Sequence, residues 1–436
     1  MQRGESRWIG GTRIVTGCEP VARGVDVIHQ RRLVERRPSI SVGLAHRVLN
    51  LMHGDSMACS CGTRHTKIAC HAPSPEESEL EFDLDTDQRA LRDAARAFLE
   101  SEAPIGYARA MMSDERGYRE DVWRKMAALG WMALAFPEDA GGVGQGFVAL
   151  AILLAEMGRV VLPGPYFSTV VPAGHAIAEA GTDTQRKELL PAICGGELLI
   201  AFADTGSDVG ATADGSSFRL DGDAQFVIDG GAAQRVVVAA DAGLFLSEPA
   251  EATALDLLDA TRKVARLRFD GTRAERLGDV ADTGRALQRI RDRACVGIAA
   301  EMLGGAERVL ELAVDNAKQR VQFDRPIGSF QAVKHRAADM HLDVESLRNA
   351  VYYAAWAIER DHPDASLAAS MAKAYASETY RRVASGGIQI HGGIGFTWEH
   401  DMHLYFKRAK GSEVAFGSAD FHRERMAQLL ERRYGS

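Results

Sequence analysis

Two stretches carry side chains whose types and spacing suit a dinucleotide. Arg320-Val-Gln-Phe323-Asp-Arg-Pro326-Ile-Gly328-Ser-Phe330-Gln331 closes a long amphipathic pattern with a compact turn. Gln389-Ile-His-Gly392-Gly393-Ile-Gly395-Phe396 begins 58 residues beyond Gln331. Together they offer one fixed cation, two amide side chains and bare backbone, a set that matches a diphosphate and an adenine. A cation near a helix C-terminus is also favoured by the helix dipole, so Arg320 alone is equally compatible with a structural role. Its planar fork suits paired hydrogen bonds to phosphate, and Phe323, Pro326, Phe330 and Gln331 in the same turn move the balance towards binding. The glycines could form a flexible connector. Ile388, Ile390, Ile394 and Phe396 alternate with them, however, which predicts a loop ordered by burial whose glycines permit close approach.

The elements that must position these groups follow from periodicity. Ala90, Leu91, Ala94, Ala95, Phe98 and Leu99 predict a helix capped by Thr86. Val122 to Leu129, stopping at Gly130, and Phe147 to Met157, stopping at Gly158, predict two more. Residues 79–196 therefore read as a helical domain. From Leu198 the runs become short and β-like: Leu198–Ala203, Phe218–Leu220, Phe226–Ile228, Val236–Ala240 and Leu244–Leu246. Asp221-Gly222 and Asp229-Gly230 read as turns, giving a small antiparallel barrel or sandwich over 197–280. Spacings of 3 and 4 among Leu287, Ile290, Ala294, Ile298 and Met302, repeated from Val344 to Ile358, predict an antiparallel helical bundle over 281–436. Its third helix is expected from about Asp364 to Val383.

Composition bounds the rest. A chain of 436 residues exceeds one core. The balance of 52 basic and 60 acidic residues, a net charge of −8, gives no electrostatic reason for nucleic-acid binding. No apolar run is long enough to span a bilayer. Four of six cysteines fall in the first 70 residues, so the globular part holds only Cys194 and Cys295; a disulfide framework is not expected, and a reducing cytoplasm is. Residues 1–78 show no persistent period and are expected to be a disordered leader, with Met57 as an alternative start. Cys59, Cys61, His65, Cys70 and His71 could be read as a zinc cluster, but their spacing fits no established pattern. No metal-ligand spacing occurs in residues 80–436.

The motif pair at 320–331 and 389–396 resembles the acyl-CoA dehydrogenase family, and Trp123, Gly130-Trp131, Pro137-Glu138, Gly141-Gly142 and Glu156-x-Gly158 resemble its first domain. The resemblance covers residues from about 80 to the C-terminus. It implies a multidomain fold, mainly α with a central β domain: an N-terminal helical domain, a small β-barrel and a C-terminal four-helix bundle. It also implies FAD, an acyl-CoA substrate, a tetramer and an electron-transferring flavoprotein as acceptor. Arg320, Phe323, Gln331, Gln389, Gly392 and Gly393 would then hold the adenosine diphosphate part of FAD.

Departures from the family pattern are concentrated elsewhere. The usual base position near the C-terminus is Phe416, before Gly417-Ser418, and the alternative position on the long helix falls near Ala294. Facing the flavin ring, the family's Thr-Glu-Pro run becomes Ala203-Asp204-Thr205-Gly206-Ser207, and its Trp-x-Thr becomes Phe226-Val227-Ile228. Asp204, Ser207, Phe226 and Ile228 are thus the weaker cofactor contacts. The nucleotide side is kept while the ring side and base are lost. This predicts the base-lacking subunit of a heteromeric α2β2 enzyme, beside a homologous subunit that carries the base. The rival expectation is a self-sufficient homotetramer with a displaced carboxylate, Glu413 first, then Asp420, Glu301 and Asp292. A third is a scaffold without flavin.

Overall fold

The computed structural model describes residues 84–204, 207–248, 250–278 and 283–434, so the expected leader and its possible zinc ligands fall outside the described residues. Helix α1 (Thr86–Glu102) is capped by Asp85, not by Thr86. The Asp85 carboxylate accepts from the Gln88 N–H at 2.8 Å, and Gln88 accepts from the Asp85 N–H at 3.1 Å. This reciprocal pair satisfies two amides that the first turn leaves open. Helices α2 (Ile105–Met111) and α3 (Glu120–Ala128) follow, and Gly130 at φ 74° redirects the chain. Helix α4 (Gly146–Arg159) is buried along almost its whole length. Three shorter helices, α5 (Tyr166–Ser168), α6 (His175–Ala180) and α7 (Asp183–Cys194), complete this part, with a π-helical stretch over Thr169–Gly174.

Seven strands then form one curled sheet: β1 (Ile200–Ala203), β2 (Ser207–Asp214), β3 (Ser217–Ile228), β4 (Arg235–Ala240), β5 (Gly243–Ser247), β6 (Glu251–Ala254) and β7 (Val264–Arg276). Their order is β1-β4-β5-β7-β3-β2, with β6 on β7. All pairings are antiparallel except β1 with β4, which are parallel, so the purely antiparallel expectation fails there. Asp221-Gly222 is not a turn. It is an irregularity within β3, where Gly222 takes φ 126°. The hairpin turn lies at Gly215-Ser216, between the paired Asp214 and Ser217. Alternation along the strands splits the side chains into two sets. Ala203, Val236, Val238 and Phe245 line a core private to the sheet, whereas Ile200, Phe202, Val237, Leu244 and Leu246 join the main helical core.

The C-terminal part comprises α8 (Thr283–Gln319), α9 (Gln331–Glu359), α10 (Ala365–His391), α11 (Met402–Val414) and α12 (Ala419–Tyr434). Helices α4 and α8 meet backbone to backbone. A Cβ on Gly304 would lie 1.7 Å from the Ala155 carbonyl oxygen, and one on Gly158 would lie 2.0 Å from that of Glu301. Helix α10 continues beyond the expected end at Val383 because Gly386 and Gly387 do not break it. They admit neighbours, since added Cβ atoms would meet Met340 Sδ at 2.8 Å and Val309 Cγ1 at 2.6 Å.

Candidate functional site

The two glycine-bearing turns lie at the same end of the bundle. Asn316, in the last turn of α8, donates from Nδ2 to the Ile390 carbonyl at 3.3 Å. Past α8 the chain makes a tight hairpin, β8 (Val321–Gln322) with β9 (Arg325–Pro326), whose tip residues Phe323 and Asp324 have φ of 53° and 63°. The Ile327 N–H donates to the Arg320 carbonyl at 2.8 Å, and Arg325 stacks on Phe330 at 4.0 Å, which fixes the loop. Phe323 is 85% exposed. Arg320, Gln331, Gln389, Gly392 and Gly393 are exposed as well. Among the described residues, the side chains of Arg320, Gln331 and Gln389 have no partner. Nothing lies within 4 Å of a Cβ built on Gly392 or Gly393, so packing requires neither, although Gly392 at φ 69° takes a backbone conformation that favours glycine. This end of the bundle is an ordered, outward-facing set of donors and bare backbone.

The ring side is different. Asp204 is not free: Arg291 on α8 holds it through paired contacts of 2.6 and 2.7 Å. Ala203 is buried and brings no hydroxyl. Phe226 sits in the β3 irregularity at φ 55°, 60% exposed, and Ile228 is half-buried. Ser207 Oγ is buried without a partner among the described residues.

At the expected base position Phe416 adopts φ 56°, and its ring packs against Phe167 with centroids 5.8 Å apart. The Phe416 carbonyl accepts from His422 Nε2 at 3.0 Å, with Cys295 Sγ 3.8 Å away. Burial, helped by Lys373, holds His422 down to about 4, and burial pushes the Cys295 thiol up to about 12. Both are therefore neutral near pH 7. The Lys373 ammonium is fully buried and donates to Ser377 Oγ at 2.9 Å, the Gly417 carbonyl at 3.0 Å and the Glu413 carbonyl at 3.1 Å. Burial lowers its pKa to about 8.

Each alternative carboxylate is engaged. Glu413 contacts Lys410 at 2.7 Å and Arg381 at 3.3 Å. Asp420 is 94% exposed and contacts Arg423 at 2.8 Å. Asp292 is held by Arg425 at 2.7 Å, Ser366 at 2.5 Å and Gln288 at 3.1 Å. Glu301 pairs with Arg262 and lies 3.8 Å from Arg408, which also binds Asp259 at 2.8 Å. Position 294 is a buried alanine.

Three features escaped the sequence reading. Lys373 reads as one more helix surface lysine until α11 and the 413–417 turn close over it. Arg262 and Asp229 lie in segments without period. Asp229 is buried, accepts from Ser168 at 2.8 Å, and is pushed up to about 6 by burial. It is the carboxyl whose surroundings most resemble those of a proton acceptor. Yet the cleft it lines with Phe167, Ile228, Arg262 and Glu301 has only about 10 Å³ of free volume, too little for a thioester. Arg262 closes that cleft over the Phe167 ring at 5.5 Å.

A helical, β, helical order with this pair of turns defines an acyl-CoA dehydrogenase fold. Residues 85–197 match the acyl-CoA dehydrogenase N-terminal domain, and residues 286–430 match its C-terminal domain. Acyl-CoA dehydrogenase IpdE2 of Mycobacterium tuberculosis is 38% identical over 327 residues, 75% of this chain and 92% of that protein. Among solved structures, a variant of the Tcur3481-Tcur3483 steroid ACAD superposes with a TM-score of 0.74 at 31% identity, over 80% of this chain and 99% of that one. The ChsE4-ChsE5 complex from Mycobacterium tuberculosis superposes equally, TM-score 0.74, at 28% identity and the same 80% and 99% coverage. The chain belongs to the acyl-CoA dehydrogenase family of oxidoreductases. No described helix is long and apolar enough to cross a membrane.

Proposed function

We propose that this chain is the base-lacking subunit of a heteromeric, FAD-containing acyl-CoA dehydrogenase, an α2β2 assembly with a homologous subunit. The observation that carries the reading is the asymmetry of the site. The side chains of Arg320, Gln331 and Gln389 face outward with no hydrogen bond or ion pair among the described residues, and Gly392, Gly393 and Phe323 are exposed beside them, Phe323 edge-on to Phe330, whereas Phe416 and its neighbours fill the base position. The residues fit half of FAD. The exposed cation, amides and open glycines suit the diphosphate and adenine of a cofactor whose ring lies in the partner. Ala203, Asp204, Phe226 and Ile228 offer little to a ring in this chain's own cleft. Bound FAD supplies the hydride acceptor for the substrate β-carbon. The group that takes the α-proton comes from the partner in this reading: Glu413, Asp420, Glu301 and Asp292 are all engaged in this chain, and the cleft at Asp229 has no room for a thioester.

Similarity to a steroid dehydrogenase and to a two-subunit complex supports a bulky acyl-CoA of the steroid side-chain or fatty-acid type; a cytoplasmic location is part of the proposal. An electron-transferring flavoprotein is the proposed acceptor. The test is native mass and flavin absorbance of the chain purified alone and co-expressed with its genomic neighbours. FAD only in a mixed assembly is expected. Stoichiometric FAD and acyl-CoA oxidation by the lone chain would overturn the proposal in favour of the homotetramer.

A further inference from the structure

The glycine turn after α10 leads into α11 through Asp401, whose own side chain caps nothing, so the residue before it supplies the acceptor. Met402 opens α11, and its backbone N–H donates to Nδ1 of His400 at 3.1 Å. Side-chain oxygens of Ser, Thr, Asp or Asn commonly take such local backbone bonds at turns, and they do not gain a proton near neutrality. Here the acceptor is a ring nitrogen that accepts only while unprotonated. The Met402 side chain is fully buried, with Sδ 3.0 Å from the Cβ position of Gly387, so the cap joins α11 to α10.

The surroundings oppose a positive charge. The His391 ring, at the end of α10, lies 4.6 Å from that of His400, and His391 is itself tied to the Gly387 carbonyl at 2.8 Å. Arg109 of α2 reaches across to Asp401 at 2.6 Å and to the Trp398 carbonyl at 2.8 Å. On α11, His403 is buried with both ring nitrogens unpartnered among the described residues, edge-on to Trp398 at 4.8 Å. Lys407 lies 3.9 Å from the same indole ring. Asp401 is the carboxylate that faces these groups, and Arg109 already engages it.

We propose that His400 is an acid-sensitive latch: its protonation releases the start of α11 and loosens the 392–401 turn that carries Gly392 and Gly393. Protonation removes the Met402 acceptor and places a cation at a helix N-terminus, where the dipole opposes it. Burial first, then His391 and Arg109, hold the His400 pKa below its usual value, against Asp401; burial, Lys407 and Arg109 do the same for His403. A depressed folded pKa means that the stabilisation is present above the unfolded value of about 6.5 and is lost as pH falls through the folded one. The link from turn to cofactor rests on the function proposed above.

Hydrogen exchange of the lone chain, corrected for intrinsic rates, tests the latch at pH 7.5 and 5.0. Protection over 392–404 should fall roughly fivefold in acid, the loss of one hydrogen bond. His400→Asn keeps an acceptor oxygen that does not titrate and should remove most of that fall. His400→Ala should lack the protection at both pH values. Equal acid losses in the wild type and His400→Asn, or none in the wild type, would overturn the latch. Acid release of FAD from the mixed assembly, abolished by His400→Asn, would extend the latch to the nucleotide. Acid-dependent exchange with full FAD retention would count against this chain's nucleotide role and leave the latch standing.

Discussion

Arg320→Ala separates binding from folding. The Arg320 side chain is exposed and makes no hydrogen bond or ion pair with another described residue, so its loss should leave the fold almost untouched. Surface substitutions of this kind stay within about 0.5 kcal/mol. Its whole effect should therefore appear on the cofactor. A hydrogen bond to a charged group contributes about 1.5–3 kcal/mol, and each 1.4 kcal/mol is tenfold in affinity. Removing the guanidinium from a diphosphate should weaken FAD by about 10- to 150-fold in the mixed assembly. Arg320→Lys keeps the charge but not the paired geometry, and should fall between. The assay is titration of the deflavinated assembly with FAD, followed by flavin fluorescence, beside thermal melts of the lone chain. Unchanged FAD affinity with unchanged melting would refute the assignment. A large fall in melting temperature would show that Arg320 serves the fold instead.

Phe416→Glu restores a carboxylate to the base position, yet should give no dehydrogenase activity in the lone chain. The cleft lined by Phe167, the ring that Phe416 packs against, has about 10 Å³ free and the ring-side contacts are absent, so turnover with stoichiometric FAD would refute the one-sided reading. The same variant should lose about 2 kcal/mol of stability from the half-buried Phe167 contact, measured by urea unfolding. Gly304→Ala places a Cβ 1.7 Å from the Ala155 carbonyl oxygen and should cost about 3 kcal/mol or more, since backbone must move; a neutral result would show that α4 and α8 are free to separate. Lys373 has its pKa lowered to about 8 in the fold from 10.5, so the unfolded chain binds more protons between these values. Stability relative to Lys373→Met should then rise by about 3 kcal/mol from pH 8 to 10.5, and a flat difference would contradict the burial of a charged amine.

The chain's architecture was largely legible because long amphipathic periods and two motifs survive in one dimension. The two turns proposed to hold the nucleotide were legible as local structure for the same reason: Arg320 to Gln331 is contiguous, and Gln389 to Phe396 is contiguous. What escaped depends on pairs far apart in sequence. Lys373 and Gly417 meet only when α11 turns back over α10, and Asp259, Glu301 and Arg408 meet only when the sheet docks on the bundle. The β region was misjudged at Asp221-Gly222, since a dipeptide that favours turns serves equally well as a bulge inside a twelve-residue strand. The parallel β1–β4 pair was hidden because both strands are buried on two faces, which removes the alternation that signals their partners.

Lys373 grips its turn through the carbonyl oxygens of Glu413 and Gly417, groups that every residue type possesses. His422 likewise reads the carbonyl of Phe416, not its ring. The contacts that hold the main chain here are thus made without the side chain at 416, although its φ of 56° still disfavours β-branched residues. Chemistry at that one position is modular: an acid or a plug can occupy it without the scaffold being rebuilt. A gene copy could therefore exchange a proton acceptor for a phenyl ring at this one residue while keeping the main-chain contacts that hold the turn.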